Sequence, residues 1–266
     1  VTDAARAHRA SSFGSVAETY DRFRPGPPLS AVAWVAGSRV ATAVDIGAGT
    51  GALTRVLGRW ADTVVAVEPD ARMLEMLRRR SPQVPAVRSW AEHLPLRSGS
   101  VDLATVSSAW HWMDPDRTLA ELERVVRPGG VLGVLWNGAD RSVGWVSELL
   151  GTRDPSPGDR EQWRTRHRFS LPDGSRFGEL DSCVIDWSLR MGREELVGLA
   201  ATYSSTITMS ADERQAELAR VGAVADDVLS GAVADDLLSG AVADRVTDGE
   251  GVEVPMSCRC WRAVRS

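Results

Sequence analysis

The residues best suited to hold a ligand are concentrated in the run Asp45-Ile46-Gly47-Ala48-Gly49-Thr50-Gly51. Glycines at 47, 49 and 51 let the backbone turn tightly and let a ligand lie against it without interference from a Cβ. The spacing is G-x-G-x-G, not the G-x-G-x-x-G that cradles the pyrophosphate of a dinucleotide. Asp45 strengthens the distinction. A carboxylate beside the loop repels a pyrophosphate and attracts a ligand carrying an ammonium or sulfonium group. Glu68 closes the next apolar run, where a carboxylate can accept hydrogen bonds from both ribose hydroxyls of a nucleoside. Further along, Trp110-His111-Trp112 sets an imidazole, which can take a proton near neutral pH, between two large aromatic rings. Position alone leaves His111 three roles: general base, substrate contact, or structural support for its loop.

Something must place these groups together, and the hydropathy pattern says what. Short apolar runs at 41–46, 63–68, 85–90, 101–106 and 130–136 read as strands, and the runs at 53–60, 70–80 and 115–126 carry apolar residues at helical spacing. Asp114 and Pro115 suit the N-cap and first position of the third helix, and Pro128-Gly129-Gly130 ends it. Such alternation predicts an α/β fold: a doubly wound, mostly parallel sheet with helices on both faces. Residues 1–38 read as an N-terminal helical cap broken at Arg24-Pro25-Gly26-Pro27-Pro28, and 39–137 as the core. Residues 138–180, rich in Pro, Gly, Asp and Arg, read as a helical insertion or lid. In 181–266, strand patterns at 183–191 and 252–264 are expected to finish the sheet as an antiparallel pair.

Composition narrows the field. Every one of the 31 basic residues is arginine, which removes a P-loop lysine, a Schiff-base lysine and a lysine general base. The formal net charge of −5, with no basic face, opposes a nucleic-acid partner. The cluster Arg78-Arg79-Arg80 suits a helix C-terminus, where cations complement the dipole. No apolar run is long enough to span a membrane and no secretory leader is evident, so a cytoplasmic location without membrane association is expected. Cys183, Cys258 and Cys260 are too few and too close for a disulfide scaffold or a zinc site, and no metal is expected. A nine-residue unit repeats three times across 222–248. On one continuous helix, nine residues at about 100° each turn the apolar face by about 180°. The run therefore needs partners on both sides, an oligomer contact among them, or it breaks at the Ser-Gly junctions, where Gly231 and Gly240 can cap.

Taken together, the motifs resemble those of the class I S-adenosylmethionine-dependent methyltransferases, of the type 11, small-molecule branch that includes ubiquinone/menaquinone-type and trans-aconitate-type enzymes. VDIGAGTGALT is similar to the family's first motif and VVAVEPDARMLEML to its second. SWAEHLPLRSGSVDLATVSSAWHW is similar to the adenine-side and fourth-strand motifs, and RVVRPGGVLGVLW to the fifth. The resemblance implies a Rossmann-like seven-stranded sheet in the order 3-2-1-4-5-7-6 with strand 7 antiparallel, and S-adenosyl-L-methionine as cofactor. It implies that Asp45, Gly47 and Gly49 line the methionine part, that Ala48 and Gly51 belong to the same cofactor-binding loop, and that Glu68 holds the ribose. Pro69, Met73, Ala91 and Glu92 would flank the adenine, and Ser107 and Ser108 would face the methionine carboxylate or the methyl group. AETYDRFRP is similar to a segment that closes over the cofactor, which nominates Tyr20 and Arg24. His111 is the candidate catalytic residue, with Trp110, Trp112 and Trp136 as candidate substrate contacts. Trp145 and Trp163 fall where relatives build their acceptor pocket.

The expected activity is methyl transfer by direct displacement to a small-molecule substrate. A protein of this fold that binds the cofactor without turnover, as regulator or scaffold, is the alternative, and a closed or missing acceptor cavity would mark it. A macromolecule methyltransferase is opposed by the absent basic face and by the lack of an NPPY-like tetrapeptide after the fourth strand.

Overall fold

The structure is a computed structural model that describes residues 16–151, 169–231 and 251–266. Two helices, α1 (Ala17–Phe23) and α2 (Leu29–Ala36), precede the sheet, separated by the proline-rich break expected there. Then come β1 (Val40–Ile46), α3 (Ala52–Leu57), β2 (Ala61–Val67), α4 (Ala71–Arg80), β3 (Ala86–Val87) and β4 (Val101–Ser107). A short 3-10 turn over Trp110–Trp112 leads to α5 (Pro115–Val125), β5 (Val126–Ala139) and α6 (Gly144–Leu149). The chain ends with β6 (Asp181–Met191), α7 (Arg193–Ala201), α8 (Ser204–Ile207), α9 (Ala211–Leu229) and β7 (Val252–Val264).

The seven strands lie in the order β3-β2-β1-β4-β5-β7-β6. β1 is parallel to β2 and β4, β2 to β3, and β4 to β5, while β7 runs antiparallel to both β5 and β6. The alternating pattern thus yields the expected mostly parallel α/β sheet. α2 and α3 cover one face, where Ala31, Val35, Leu53 and Leu57 pack on Leu103, Leu135, Cys258 and Cys260. α5 covers the other face, with Leu119 and Leu122 against Val44, Val106 and Val134. A third cluster joins α6, α7 and α9 to the far end of β7 through Trp145, Leu149, Leu196, Val221 and Val254.

Local chemistry fixes the helix starts nearest the site. Asp70 caps α4 by accepting from Arg72 N at 2.9 Å and Met73 N at 3.1 Å, an arrangement worth about 1 kcal/mol that also sets Met73 in place. Asp114 caps α5 by accepting from Arg117 N at 3.1 Å, with Pro115 at the first position. The three cysteines are free thiols, Cys258 and Cys260 fully buried with sulfurs 3.9 Å apart.

Several boundaries differ from the sequence pattern. β5 is longer than 130–136, because Val126 is buried and pairs with Val101 ahead of the glycine bend. The strand over 85–90 shortens to two residues, since it is an edge with only β2 to pair with. Of the segment 138–180, the first residues continue β5, one short helix follows, and Phe177 bridges to Arg265. Residues 152–168 of that segment, Trp163 among them, lie outside the described residues. The first copy of the nine-residue unit forms the C-terminal half of α9. There α9 buries Val221, Gly222, Ala225 and Val228 and stops at the first Ser-Gly junction, with Gly231 at φ +71°. The other two copies are not among the described residues, Gly231 aside.

Candidate active site

Parallel strands present their carboxyl ends at one edge of the sheet, and the loops leaving β1, β2, β4 and β5 meet there around a cavity of about 480 Å³. The glycine loop forms one wall. Gly47, Gly49 and Gly51 all have positive φ, at +67°, +57° and +90°. Gly47 N and Ala48 N both donate to Val67 O, at 2.9 and 3.1 Å, tying the loop to the end of β2. A Cβ at Gly47 would stand 2.7 Å from Ala109 Cβ, so only glycine lets the turn before Trp110 pack this close. A Cβ at Gly49 would meet nothing within 4 Å, leaving open space above the backbone there.

Glu68 lies at the base of this wall, 7% exposed. One carboxylate oxygen accepts from Gly49 N at 2.8 Å and the other from Asp70 N at 2.9 Å. Burial pushes its carboxyl up to about 7, against the opposing pull of those two N–H donors. Asp45 is deeper still. Its Oδ2 accepts from Thr54 Oγ1 at 2.6 Å, while Oδ1 is buried with no hydrogen-bond partner. Burial raises this carboxyl to about 6.

The opposite wall comes from distant parts of the chain. α1 brings Tyr20 and, just past its end, Arg24, while the junction of α7 and α8 brings Tyr203. The Arg24 guanidinium stacks 4.4 Å from the Tyr203 ring centre, with its Nη1 buried and unpartnered. Arg141, just past β5, lies 4.8 Å from the same ring. Asn137, near the end of β5, holds this wall to the sheet. Its amide nitrogen donates to Pro25 O at 3.1 Å and Gly26 O at 2.9 Å, and its oxygen accepts from Trp187 Nε1 at 3.2 Å. Asp21, on α1 itself, ties that helix to α4 and α3, accepting from Arg80 Nε at 2.7 Å and Arg55 Nη2 at 3.4 Å. Phe23 presses on α7 where the chain has Gly198, whose Cβ would fall 2.3 Å from the ring.

The structure brings most of the nominated residues onto this cavity: Tyr20, Arg24, Gly47, Gly49, Glu68, Pro69, Met73, Ala91, Glu92, Ser107, Ser108, His111, Trp112 and Trp136. Glu92 has a structural task as well, accepting from Asp114 N at 2.7 Å. Ser108 is the one described non-glycine residue with positive φ, at +52°, and its Oγ accepts from Asn137 N at 3.3 Å. His111 is exposed at the cavity mouth, its ring 4.4 Å from Trp112 and 4.8 Å from Trp136.

Five residues fall elsewhere. Asp45 and Ala48 line a smaller adjoining hollow of about 50 Å³, which shares Tyr20, Arg24, Gly47 and Ser108 with the main cavity. Gly51 lines neither; it starts α3, where a Cβ would meet Leu77 at 2.9 Å. Trp110 points away and packs edge-on to Phe169 at 4.8 Å, because the 3-10 turn sends it and Trp112 in different directions. Trp145 is completely buried in the core. Sequence reasoning missed Asn137, Arg141 and Tyr203. No local pattern marks them, although Asn137 is an amide inside an otherwise apolar strand.

Residues 44–134 match the family model described as a methyltransferase domain. An uncharacterised methyltransferase of Mycobacterium tuberculosis is 40% identical over 213 residues, covering 79% of this chain and 84% of the relative. The chain belongs to the class I S-adenosylmethionine-dependent methyltransferases. It also resembles a solved structure from Anaeromyxobacter dehalogenans, assigned as a type II methyltransferase, with 25% identity and a TM-score of 0.61 over 91% of this chain and 98% of that one. A malonyl-[acyl-carrier protein] O-methyltransferase of Pectobacterium atrosepticum is 32% identical over 53% of this chain and 55% of its own length. Among the described residues, no helix is long and apolar enough to cross a membrane, and no cluster of three or more metal-ligating side chains occurs.

Proposed function

We propose that this methyltransferase binds S-adenosylmethionine along the glycine loop and transfers its methyl group, by direct displacement, to a small organic acceptor seated against Trp112, His111 and Trp136. The observation that carries the reading is a pair of buried, unsatisfied groups of opposite charge beside the loop, Asp45 Oδ1 and Arg24 Nη1. Buried polar atoms are seldom left unpaired. An anion acceptor and a cation donor flanking one hollow fit the ammonium and carboxylate of an amino-acid moiety. Glu68, at the end of β2, then faces the ribose, and Met73 and Ala91 face the adenine.

When bound, the cofactor supplies an electrophilic methyl on a positively charged sulfur. The protein's work is to hold the acceptor in line with that carbon and to keep water away. Tyr20, Arg24 and Tyr203 cover the cavity from one side, and the Trp112–His111–Trp136 cluster confines the acceptor from the other. His111 takes the proton from a hydroxyl or amine nucleophile; a carboxylate nucleophile needs no base. The open acceptor end supports turnover over a binding-only role, and the malonyl-[acyl-carrier protein] O-methyltransferase relative is a precedent for transfer to oxygen.

Calorimetry with S-adenosylhomocysteine, using NAD as control ligand, tests the reading. Wild type should bind the first and not the second, with Asp45→Ala and Glu68→Ala each weakening binding by about 1–3 kcal/mol. Binding of NAD alone, or indifference to both substitutions, would sink it.

A further inference from the structure

We infer that Asn137 is a positioning residue for the methyl donor: oriented by the Trp187 indole, it holds the Pro25–Gly26 backbone so that Arg24 meets the donor's carboxylate. This rests on the methyl-transfer reading above. Asn137 is buried on a sheet face otherwise built from Leu135, Cys258 and Ile185. An amide in such surroundings is costly unless its polar atoms are met. Here they are. Its nitrogen donates to Pro25 O at 3.1 Å and Gly26 O at 2.9 Å, and its oxygen accepts from Trp187 Nε1 at 3.2 Å. Trp187 reaches it from β6, across the intervening β7. These partners also decide which way the amide points, because an indole can only donate and a carbonyl can only accept. A flipped amide would set its oxygen against two carbonyl oxygens and lose the indole as well.

The backbone that the amide holds is the one that carries Arg24. Arg24, Pro25 and Gly26 are consecutive, and all three border the small hollow beside the glycine loop together with Asp45 and Ser108. Gly26 also rests on the start of α3, where a Cβ would stand 3.3 Å from Ala52 O. The break is therefore pinned by α3 and by Asn137, more than a hundred residues away. Two carbonyl oxygens are poor neighbours for a carboxylate, and the amide engages both, leaving the guanidinium as the group that answers the anion. The main chain of Asn137 serves the same hollow, donating to Ser108 Oγ at 3.3 Å. Both side-chain donors are spent on the protein itself, so Asn137 acts through Arg24 and not by touching the ligand.

The test compares calorimetric binding of S-adenosylhomocysteine with that of its decarboxylated analogue, which keeps the nucleoside, sulfur and ammonium. Asn137→Leu preserves the side chain's bulk, and Trp187→Phe removes the indole N–H while keeping a ring. Asn137→Leu should weaken S-adenosylhomocysteine about tenfold or more and Trp187→Phe about threefold or more. Both should change the analogue by about twofold or less, a selectivity that general damage to the fold would not produce. Arg24→Gln should itself weaken S-adenosylhomocysteine, and adding Asn137→Leu to it should cost about twofold or less, since the two act as one unit. Equal losses for the two ligands, additive losses with Arg24→Gln, no effect of Arg24→Gln, or unchanged binding in Asn137→Leu overturns the proposal. If Asn137→Leu does not fold, Trp187→Phe decides by the same comparisons, and if the analogue binds wild type too weakly to titrate, the cycle with Arg24→Gln decides. Failure of wild type to bind S-adenosylhomocysteine is a separate result, seen in the first titration, and it removes the methyl-transfer reading itself.

Discussion

Glu68 ties the cofactor reading to pH. Its carboxyl is nearly buried and titrates at about 7, although two backbone N–H groups already favour its charged form. Ribose hydroxyls donate to a carboxylate and gain much less from a carboxylic acid, so the ionised form is the binding-competent one. With a free-protein value of about 7, the ionised fraction is about 90% at pH 8 and about 1% at pH 5. If the bound form stays ionised throughout, affinity for S-adenosylhomocysteine falls about 90-fold between those limits, or ~2.7 kcal/mol at 1.36 kcal/mol per pH unit. Below pH 7, binding also releases the Glu68 proton, which calorimetry in buffers of different ionisation enthalpy counts directly. Asp45, raised to about 6, adds its own dependence below that pH if it meets the ligand's ammonium. Glu68→Gln separates the two, because its remaining pH dependence belongs to Asp45 and to the ligand. A wild-type affinity that is flat from pH 5 to 8, or a slope unchanged in Glu68→Gln, would refute the reasoning.

The same residue has a consequence for stability. Its folded value lies above its unfolded one, so the folded state binds the proton more tightly and stability drains as pH rises from about 4.5 through 7. In chemical denaturation, Glu68→Gln should therefore gain on wild type across that window by about 3 kcal/mol, and a pH-independent difference would contradict the assigned shift. Gly198→Ala drives a methyl into the Phe23 ring, costing about 1–3 kcal/mol of overpacking and loosening α1. S-adenosylhomocysteine affinity should drop several-fold, and unchanged binding would mean that α1 does not form part of the ligand site. For a hydroxyl or amine acceptor, His111→Ala should lower kcat by about 100-fold or more with S-adenosylhomocysteine binding intact. Full turnover at saturating acceptor removes His111 from the chemistry.

The half of the site nearest the glycine loop was legible because its geometry is local. Three glycines, an acid before them and an acid at the next strand end depend only on strand-to-helix turns, and parallel strands carry all of these to one edge. Legibility stopped where side-chain direction or distant packing decides. Nothing in Trp110-His111-Trp112 states which tryptophan turns inward, since the 3-10 rotation and the presence of Phe169 settle it. Arg141 and Tyr203 meet from chain positions on either side of β6. Pairings of that kind leave no periodic trace. Asn137 is intermediate: a polar residue in a buried strand announces that it has partners, and only the fold reveals that they are two carbonyls of the N-terminal break and an indole on β6.

The seam between Phe23 and Gly198, with the Arg22–Glu194 ion pair at 2.8 Å beside it, joins the chain ahead of the first strand to the chain behind the sixth. The cavity is therefore ringed by pieces that lie far apart in the sequence. The floor belongs to the glycine loop and the β2 and β4 ends, and much of the opposite rim to the chain beyond Leu135. Under the proposed function, exchanging that rim alters what is methylated, while the floor that would receive the methyl donor stays as it is. The seam is the joint such an exchange must preserve, because α1 serves both halves at once.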